Sequence, residues 1–226
     1  MQKYWSTHSS TTSKYKKKFK WDDSNGRHLT AGGLLPYDEN GIWVIGEHQK
    51  NGTLEWTDPG GKYKFEDCDI YTTISREFCE ELYHSAELTR SQVIKFASHN
   101  SPIYVNGSCN RPVYICYVIP LTELQEEGIH MNPVLFAQYR CNALRSNPDV
   151  PRDFYSSIEL RHINFTELAQ ELYDNHKSKT SSFILSYRLK RILRHGLLAT
   201  KIYKFSSEYD ISEKMKNISI LKKTVE

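Results

Sequence analysis

The stretch Trp56-Thr57-Asp58-Pro59-Gly60-Gly61-Lys62, followed after a loop by Arg76-Glu77-Phe78-Cys79-Glu80-Glu81-Leu82, decides how this chain is read. Asp69 is a good N-cap, and Ile70, Ile74, Phe78 and Leu82 recur every four residues, which predicts a helix over Ile70–Tyr83. At about 100° per residue, Glu77, Glu80 and Glu81 fall within one arc of roughly 100°. Like charges at this spacing destabilise a helix by a few tenths of a kcal/mol. A divalent cation removes that penalty, and hard oxygen ligands suit Mg²⁺ or Mn²⁺. The plainer reading is a solvated acidic helix face. Against it, the acidic arc overlaps the edge of the apolar stripe, so the carboxylates sit near the core boundary. The Pro-Gly-Gly turn also lies one loop upstream, where a backbone carbonyl can join a metal shell.

Upstream of this segment, Leu29–Leu35 and Gly41–Glu47 are short apolar-rich runs separated by Pro36-Tyr37-Asp38-Glu39-Asn40, a strand–turn–strand pattern. Asn51-Gly52 signals another tight turn, with Leu54-Glu55-Trp56 extended beyond it. Pro59-Gly60-Gly61 is read as a strand breaker leading into a loop that runs through Cys68. Downstream, Gln92–Ala97 and Ile103–Asn106 read as strands, and Pro112–Leu121 as the strongest and most central one. A short helix is expected near Val134–Leu144. A strand over Ser157–Phe165 and a helix over Thr166–Asn175, capped by Thr166, should follow. Ser182–Leu198 reads as one more helix, docked through Phe183, Ile184, Tyr187, Leu189 and Ile192.

With 226 residues, 38% hydrophobic and 25% charged, the chain can bury a real core. The net charge of +3 implies no partner by itself, but residues 1–21 hold six Lys and no acid. Lys14–Trp21 interleaves Lys with aromatics as single-stranded nucleic-acid binders do; a solvated basic arm over residues 1–27 is the favoured reading. The five Cys are scattered and include no CxxC, so neither a zinc site nor a disulfide framework is favoured. A reduced, cytoplasmic compartment fits best. No apolar run approaches the roughly 20 residues that span a bilayer, so no membrane association is expected.

These residues resemble the Nudix box of the MutT-like hydrolases, here in a divergent form over residues 61–84. Gly61 matches the leading glycine, while Arg76, Glu77, Phe78, Glu80 and Glu81 match the second half without a gap. Trp56 and Pro59-Gly60-Gly61 match the segment that usually leads into the box. Thr30–Leu35 and Ile42–Gly46 look like the family's first two strands, and Ile158–Leu168 like its final strand–helix unit. The pattern departs in two places. One extra residue lies between Gly61 and Arg76, so Glu66, Asp67 and Asp69 compete for the role of the first box glutamate. Tyr83 replaces the terminal glycine and removes the easy left-handed cap.

The resemblance implies an α/β fold, an α/β/α sandwich around a mixed β-sheet, over residues 28–175, with a helical extension over residues 176–226. It implies metal-dependent cleavage of a diphosphate linkage in a nucleoside diphosphate joined to another moiety, with Mg²⁺ or Mn²⁺ as cofactor. Capped RNA, ADP-ribose, nucleotide sugars and free nucleotides stay open as substrates, capped RNA being brought in by the basic arm and the basic Arg188–Arg194 helix. The metal set would be Glu80, Glu81, Glu77 and the backbone of Gly61. Glu77 or Glu159 would act as base, and Arg76 would orient Glu77 or the loop. His48, Trp43 and Tyr37 are candidate substrate contacts. The competing function is a catalytically inactive Nudix-like module that binds nucleotide or RNA.

Overall fold

The computed structural model describes residues 21–22, 28–49, 51–107, 112–146, 156–173 and 184–205. The expected basic arm lies largely outside the described residues. Only Trp21–Asp22 (β1) is seen of it, paired antiparallel with His28–Leu29 (β2).

The main sheet is organised around Ala31–Tyr37 (β3) and Gly41–His48 (β4). Their hairpin is fixed by Asp38, whose carboxylate accepts from the amides of Asn40 at 2.8 Å and Gly41 at 2.9 Å. The two strands pair only at Tyr37 and Ile42 and then splay apart. Leu54–Thr57 (β5) fills the gap along β4, and Gly60–Lys62 (β6) fills it along β3. Asp58 and Pro59 bridge the two short strands. The glycines read above as a breaker are therefore a strand: Gly60 and Gly61 pair with Gly33 and Gly32.

Ile103–Asn106 (β7) and Pro112–Pro120 (β8) extend the sheet, β8 running parallel to β3 along its whole length. Ser157–Asn164 (β9) covers the other edge of β4, antiparallel. Ile184–Leu185 (β10) adds a parallel strand to β5. Among the described residues the sheet is thus mixed and eight-stranded.

Helices cover both faces. Ile70–Glu81 (α1), Arg90–His99 (α2), Leu121–Glu126 (α3) and Pro133–Ser146 (α4) enclose one core with Leu34, Ile45, Ile74, Phe78, Ile115 and Leu160. Phe165–Tyr173 (α5), Tyr187–Leu193 (α6) and a helix over 196–205 (α7) enclose the other, with Leu35, Val44, Trp56, Phe165, Leu189 and Ile202. This is the expected α/β/α sandwich.

Several local expectations are corrected. Gln92–Ala97 is helix, not strand: Thr89 and Gln92 form a reciprocal capping box that overrides the β-branched content of the segment. Helix α5 begins at Phe165, and Asn164 caps it instead of Thr166. The Asn164 side chain accepts from the Glu167 amide at 2.8 Å, and Glu167 accepts in return from the Asn164 amide at 3.2 Å. Of the segment expected as one helix from Ser182 to Leu198, the described part from Ile184 onward is a short strand and two helices. Strand β10 needs the backbone of β5 as a template, and Ser186 then caps α6 by accepting from the Leu189 amide at 3.1 Å.

Helix α1 ends without a glycine, yet it takes the left-handed exit. Tyr83 and His84 have φ of 51° and 59°. The Tyr83 amide donates to Glu80 O at 3.1 Å and the His84 amide to Cys79 O at 2.8 Å, the two bonds of a Schellman cap. The side chain of Tyr83 holds the turn in place. Its hydroxyl donates to Ser157 O at 2.6 Å, and its ring meets Phe136 edge-on at 5.4 Å.

Candidate active site at the split in the sheet

The splay of β3 and β4 leaves Asp58–Gly61 facing α1 on one side and α6 on the other, and successive residues of β6 point to opposite faces. On the α1 face, a Cβ at Gly61 would overlap the Glu77 carboxylate, so the absence of a side chain is what admits Glu77 against the strand. The Gly60 amide donates to Glu81 Oε2 at 2.6 Å. Residues of β4 alternate likewise, and Ile45 in the α1-side core fixes the face on which Glu47 lies. Glu47, Glu77 and Glu81 therefore approach one another from two elements.

The electrostatics of the three are alike. Burial first, then Glu47, pushes Glu81 well above the ordinary carboxylate range, against the pull of Arg188 and the Gly60 amide. Glu47 is raised by burial, with Asp58, Glu55 and Glu77 adding to it and Arg188 opposing. Burial also raises Glu77, although Arg76 works the other way.

Arg76 is the organiser of the loop. Its Nε and Nη2 donate to the two Asp67 oxygens at 2.9 and 2.8 Å, and its Nη1 to Glu77 Oε1 at 2.6 Å and Glu80 Oε2 at 3.0 Å. Asp67 also accepts from the Lys64 amide at 2.7 Å and the Thr73 hydroxyl at 2.9 Å. Burial would raise this acid, but these donors outweigh it and hold it below its usual range. Of the three acids competing to precede the helix, Asp67 thus partners Arg76. Asp69 caps α1, accepting from the Thr72 amide at 2.8 Å, and Glu66 is exposed.

Glu80 is exposed and turned outward, bound by Lys64 Nζ at 2.8 Å as well as by Arg76. Among the described residues, the trio of His, Cys, Asp or Glu ligand atoms lying mutually within 4.8 Å is Cys79, His84 and Glu87, not the glutamates of the box. The remaining candidates disperse. Glu159 pairs with Gly46 and alternates with Arg161 and Ile163 on the α6 face, exposed and away from Glu77. His48 is exposed at the end of β4, on the face opposite Glu47. Trp43 is half-buried in the α1-side core, edge-on to His162 at 5.2 Å, and its buried Nε1 has no partner. Tyr37 lines a separate cavity of about 520 Å³ with His99, Tyr104 and Leu198.

Sequence reasoning missed Glu47, Asp58 and Arg188. Asp58 is fully buried on the α6 face, where Arg188 Nε donates to its Oδ1 at 2.8 Å and the Tyr114 hydroxyl to its Oδ2 at 2.5 Å. Arg188 Nη2 also donates to Thr57 Oγ1 at 2.9 Å and Asp58 O at 2.8 Å, and its guanidinium lies 4.7 Å from the Tyr114 ring centroid. Burial works against that charge, but Asp58, Tyr114 and Glu81 outweigh it and keep Arg188 firmly protonated. A Cβ at Gly60 would overlap the Tyr114 hydroxyl. Glu47 had one signal, an acid on the inward face of an otherwise apolar strand.

A scan of family models finds none that matches the chain, and a search of curated proteins likewise finds no match. Among solved structures, the chain is similar to an Ap4A hydrolase from C. elegans at 15% identity, covering 73% of this chain and 94% of that one, with a TM-score of 0.33. It is similar to a NUDIX hydrolase from Nitrosomonas europaea at 11% identity, covering 55% and 94%, with a TM-score of 0.28. A bifunctional NMN adenylyltransferase/ADP ribose pyrophosphatase from Francisella tularensis, complexed with AMP and Mn ion, aligns at 19% identity over 43% of this chain, with a TM-score of 0.29. The chain spans only 28% of that protein's length. Overlap this partial leaves the functional reading to the site's own chemistry. No helix among the described residues is long and apolar enough to cross a membrane.

Proposed function

We propose that the chain is a metal-dependent hydrolase of the Nudix type, cleaving a diphosphate linkage in a nucleoside diphosphate joined to another moiety. The observation that carries this reading is the approach of Glu77 and Glu81 to the Gly60–Gly61 backbone, with Glu47 acting electrostatically on Glu81 and, among the described residues, no Lys or Arg bound to Glu81. An all-oxygen donor set of partly buried carboxylates fits Mg²⁺ or Mn²⁺. Glu81, Glu47 and the carbonyl of Gly61 would hold the ion, Glu80 would join by turning from Lys64, and Glu77 would stand beside it as the base. When bound, such an ion neutralises the diphosphate and acidifies the attacking water.

The chain's own residues divide the remaining work. Arg76 grips Glu77 Oε1 and leaves Oε2 toward Gly61, so the carboxylate is oriented and its free oxygen can take a proton from water. Its elevated affinity for protons suits that role. Asp67 fixes Arg76 in turn. Capped RNA, ADP-ribose, nucleotide sugars and nucleotides are the substrate classes to compare.

The test is turnover of such a panel with Mg²⁺ or Mn²⁺. Glu77→Gln is expected to lower kcat by about 10²–10⁴, the usual worth of a positioned base. Glu81→Gln and Glu80→Gln should raise the metal concentration needed. Absence of any metal-dependent turnover by the unsubstituted chain overturns the enzyme reading, and binding of nucleotide without turnover favours an inactive binding module.

A further inference from the structure

We propose a second metal site, of different chemistry, formed by Cys79, His84 and Glu87 at the C-terminal end of α1. The sulfur, an imidazole nitrogen and a carboxylate oxygen of these residues all lie within 4.8 Å of one another. A thiolate, an imidazole and a carboxylate make the mixed set that binds Zn²⁺ or Co²⁺, whereas Mg²⁺ prefers oxygen alone. Metal–ligand bonds of about 2.0–2.3 Å in a tetrahedron set donors roughly 3.3–3.6 Å apart. His84 Nδ1 and Glu87 Oε1 now stand 2.8 Å apart, so an ion needs them to open by less than about 1 Å. Their side chains, 58% and 67% exposed, are free to do so.

The backbone has already prepared the position. The left-handed pair Tyr83 and His84 folds the chain back over the last turn of α1, which is what returns His84 to Cys79. The Leu88 amide donates to Cys79 Sγ at 3.2 Å, a bond a thiolate would accept more strongly. The opposing bond from the thiol to Leu88 O, at 3.4 Å, is lost when the proton leaves to solvent on metal binding. Cys79 is buried while the other two ligands face water, so the ion would sit at the surface with a solvent molecule completing its shell.

This site is separate from the carboxylates. Cys79 lies two residues from both Glu77 and Glu81, about 160° around the helix from each. An ion there would clamp the exit of α1 to the segment leading into α2, bracing the helix that carries Glu77 and Glu81 without touching them.

The experiment is titration of the full chain with Co²⁺ after chelator treatment. A thiolate-to-cobalt charge-transfer band in the near ultraviolet should appear, with visible bands of tetrahedral strength. Zn²⁺ should displace it and Mg²⁺ should not. The carboxylate site offers no sulfur, so Co²⁺ bound there cannot produce that band. Cys79→Ser should abolish it and Cys68→Ser should leave it unchanged. Because Cys79 is in the core, the exposed His84→Asn and Glu87→Gln variants provide an independent reading, each expected to weaken Co²⁺ affinity at least about tenfold. Absence of the band, its survival in Cys79→Ser, or unchanged affinity in both exposed variants overturns the proposal.

Discussion

Two charged clusters flank the Gly60–Gly61 strand, and they are opposite in kind. On the α6 face, Asp58 is fully buried, but every oxygen it presents is matched by Arg188, Tyr114 or Thr57. On the α1 face, Glu47, Glu77 and Glu81 are less deeply buried and raise one another's affinity for protons. A matched acid needs nothing from solution, so the first cluster is structural. The second has an excess of negative charge held in place by Arg76 and a backbone amide. It is the cluster to which the proposed cation is assigned.

The contrast is open to several tests. Arg188→Met should be the most damaging to stability, since it strands Asp58 as an unpaired buried charge. A loss of about 3–5 kcal/mol is expected in urea unfolding, largely recovered when Asp58→Asn is added. The opposite outcome, an Arg188→Met chain as stable as the original, would show the pair to be incidental. Gly61→Ala should act on the other cluster. Its Cβ collides with the tip of Glu77 and with no backbone atom, so the chain should fold, with turnover reduced about a hundredfold by the displaced carboxylate.

Proton linkage separates the clusters by sign. Glu47, Glu77 and Glu81 have folded-state affinities for protons above those of the unfolded chain. The stability they contribute is present below the unfolded carboxylate value of about 4.5 and is lost as pH rises through their raised folded values. Asp67 and Asp69 are shifted down, and what they contribute is lost as pH falls. Chelated protein should therefore have a higher Tm in mildly acidic solution than at neutral pH, then decline in stronger acid. Saturating Mg²⁺ should raise the neutral Tm and flatten that difference. Smallest of all, Tyr83→Phe should cost about 1 kcal/mol, the worth of the bond its hydroxyl donates to the Ser157 carbonyl, and leave metal dependence unaltered.

What the sequence made legible was local. The four-residue stripe of α1, its Asp69 cap and the apolar-rich runs of β3 and β4 depend on neighbours a few positions away, and they appear where they were expected. The glutamates of the helix were visible for the same reason. Strand β6 was not, because glycines have no strand preference and Gly60 and Gly61 are extended only through pairing with β3. Helix α2 was misread since Val93, Ile94 and Phe96 suit a strand in isolation. The Thr89–Gln92 capping pattern was the better signal. Arg188 was visible as a charge but not as Asp58's partner. Only the parallel addition of β10 to β5 turns α6 inward, and nothing near residue 188 announces it.

That pairing also has a consequence in time. Asp58 and Arg188 are 130 residues apart, so the bond between them closes one of the longest loops in the molecule. Contacts of such range form late and slow a folding reaction. Until α6 docks, Asp58 has no guanidinium partner and the strand bearing Gly60 and Gly61 lacks its backing. The ability to bind a cation at the glutamates should thus emerge as the last event of refolding, on the same clock as the burial of Arg188.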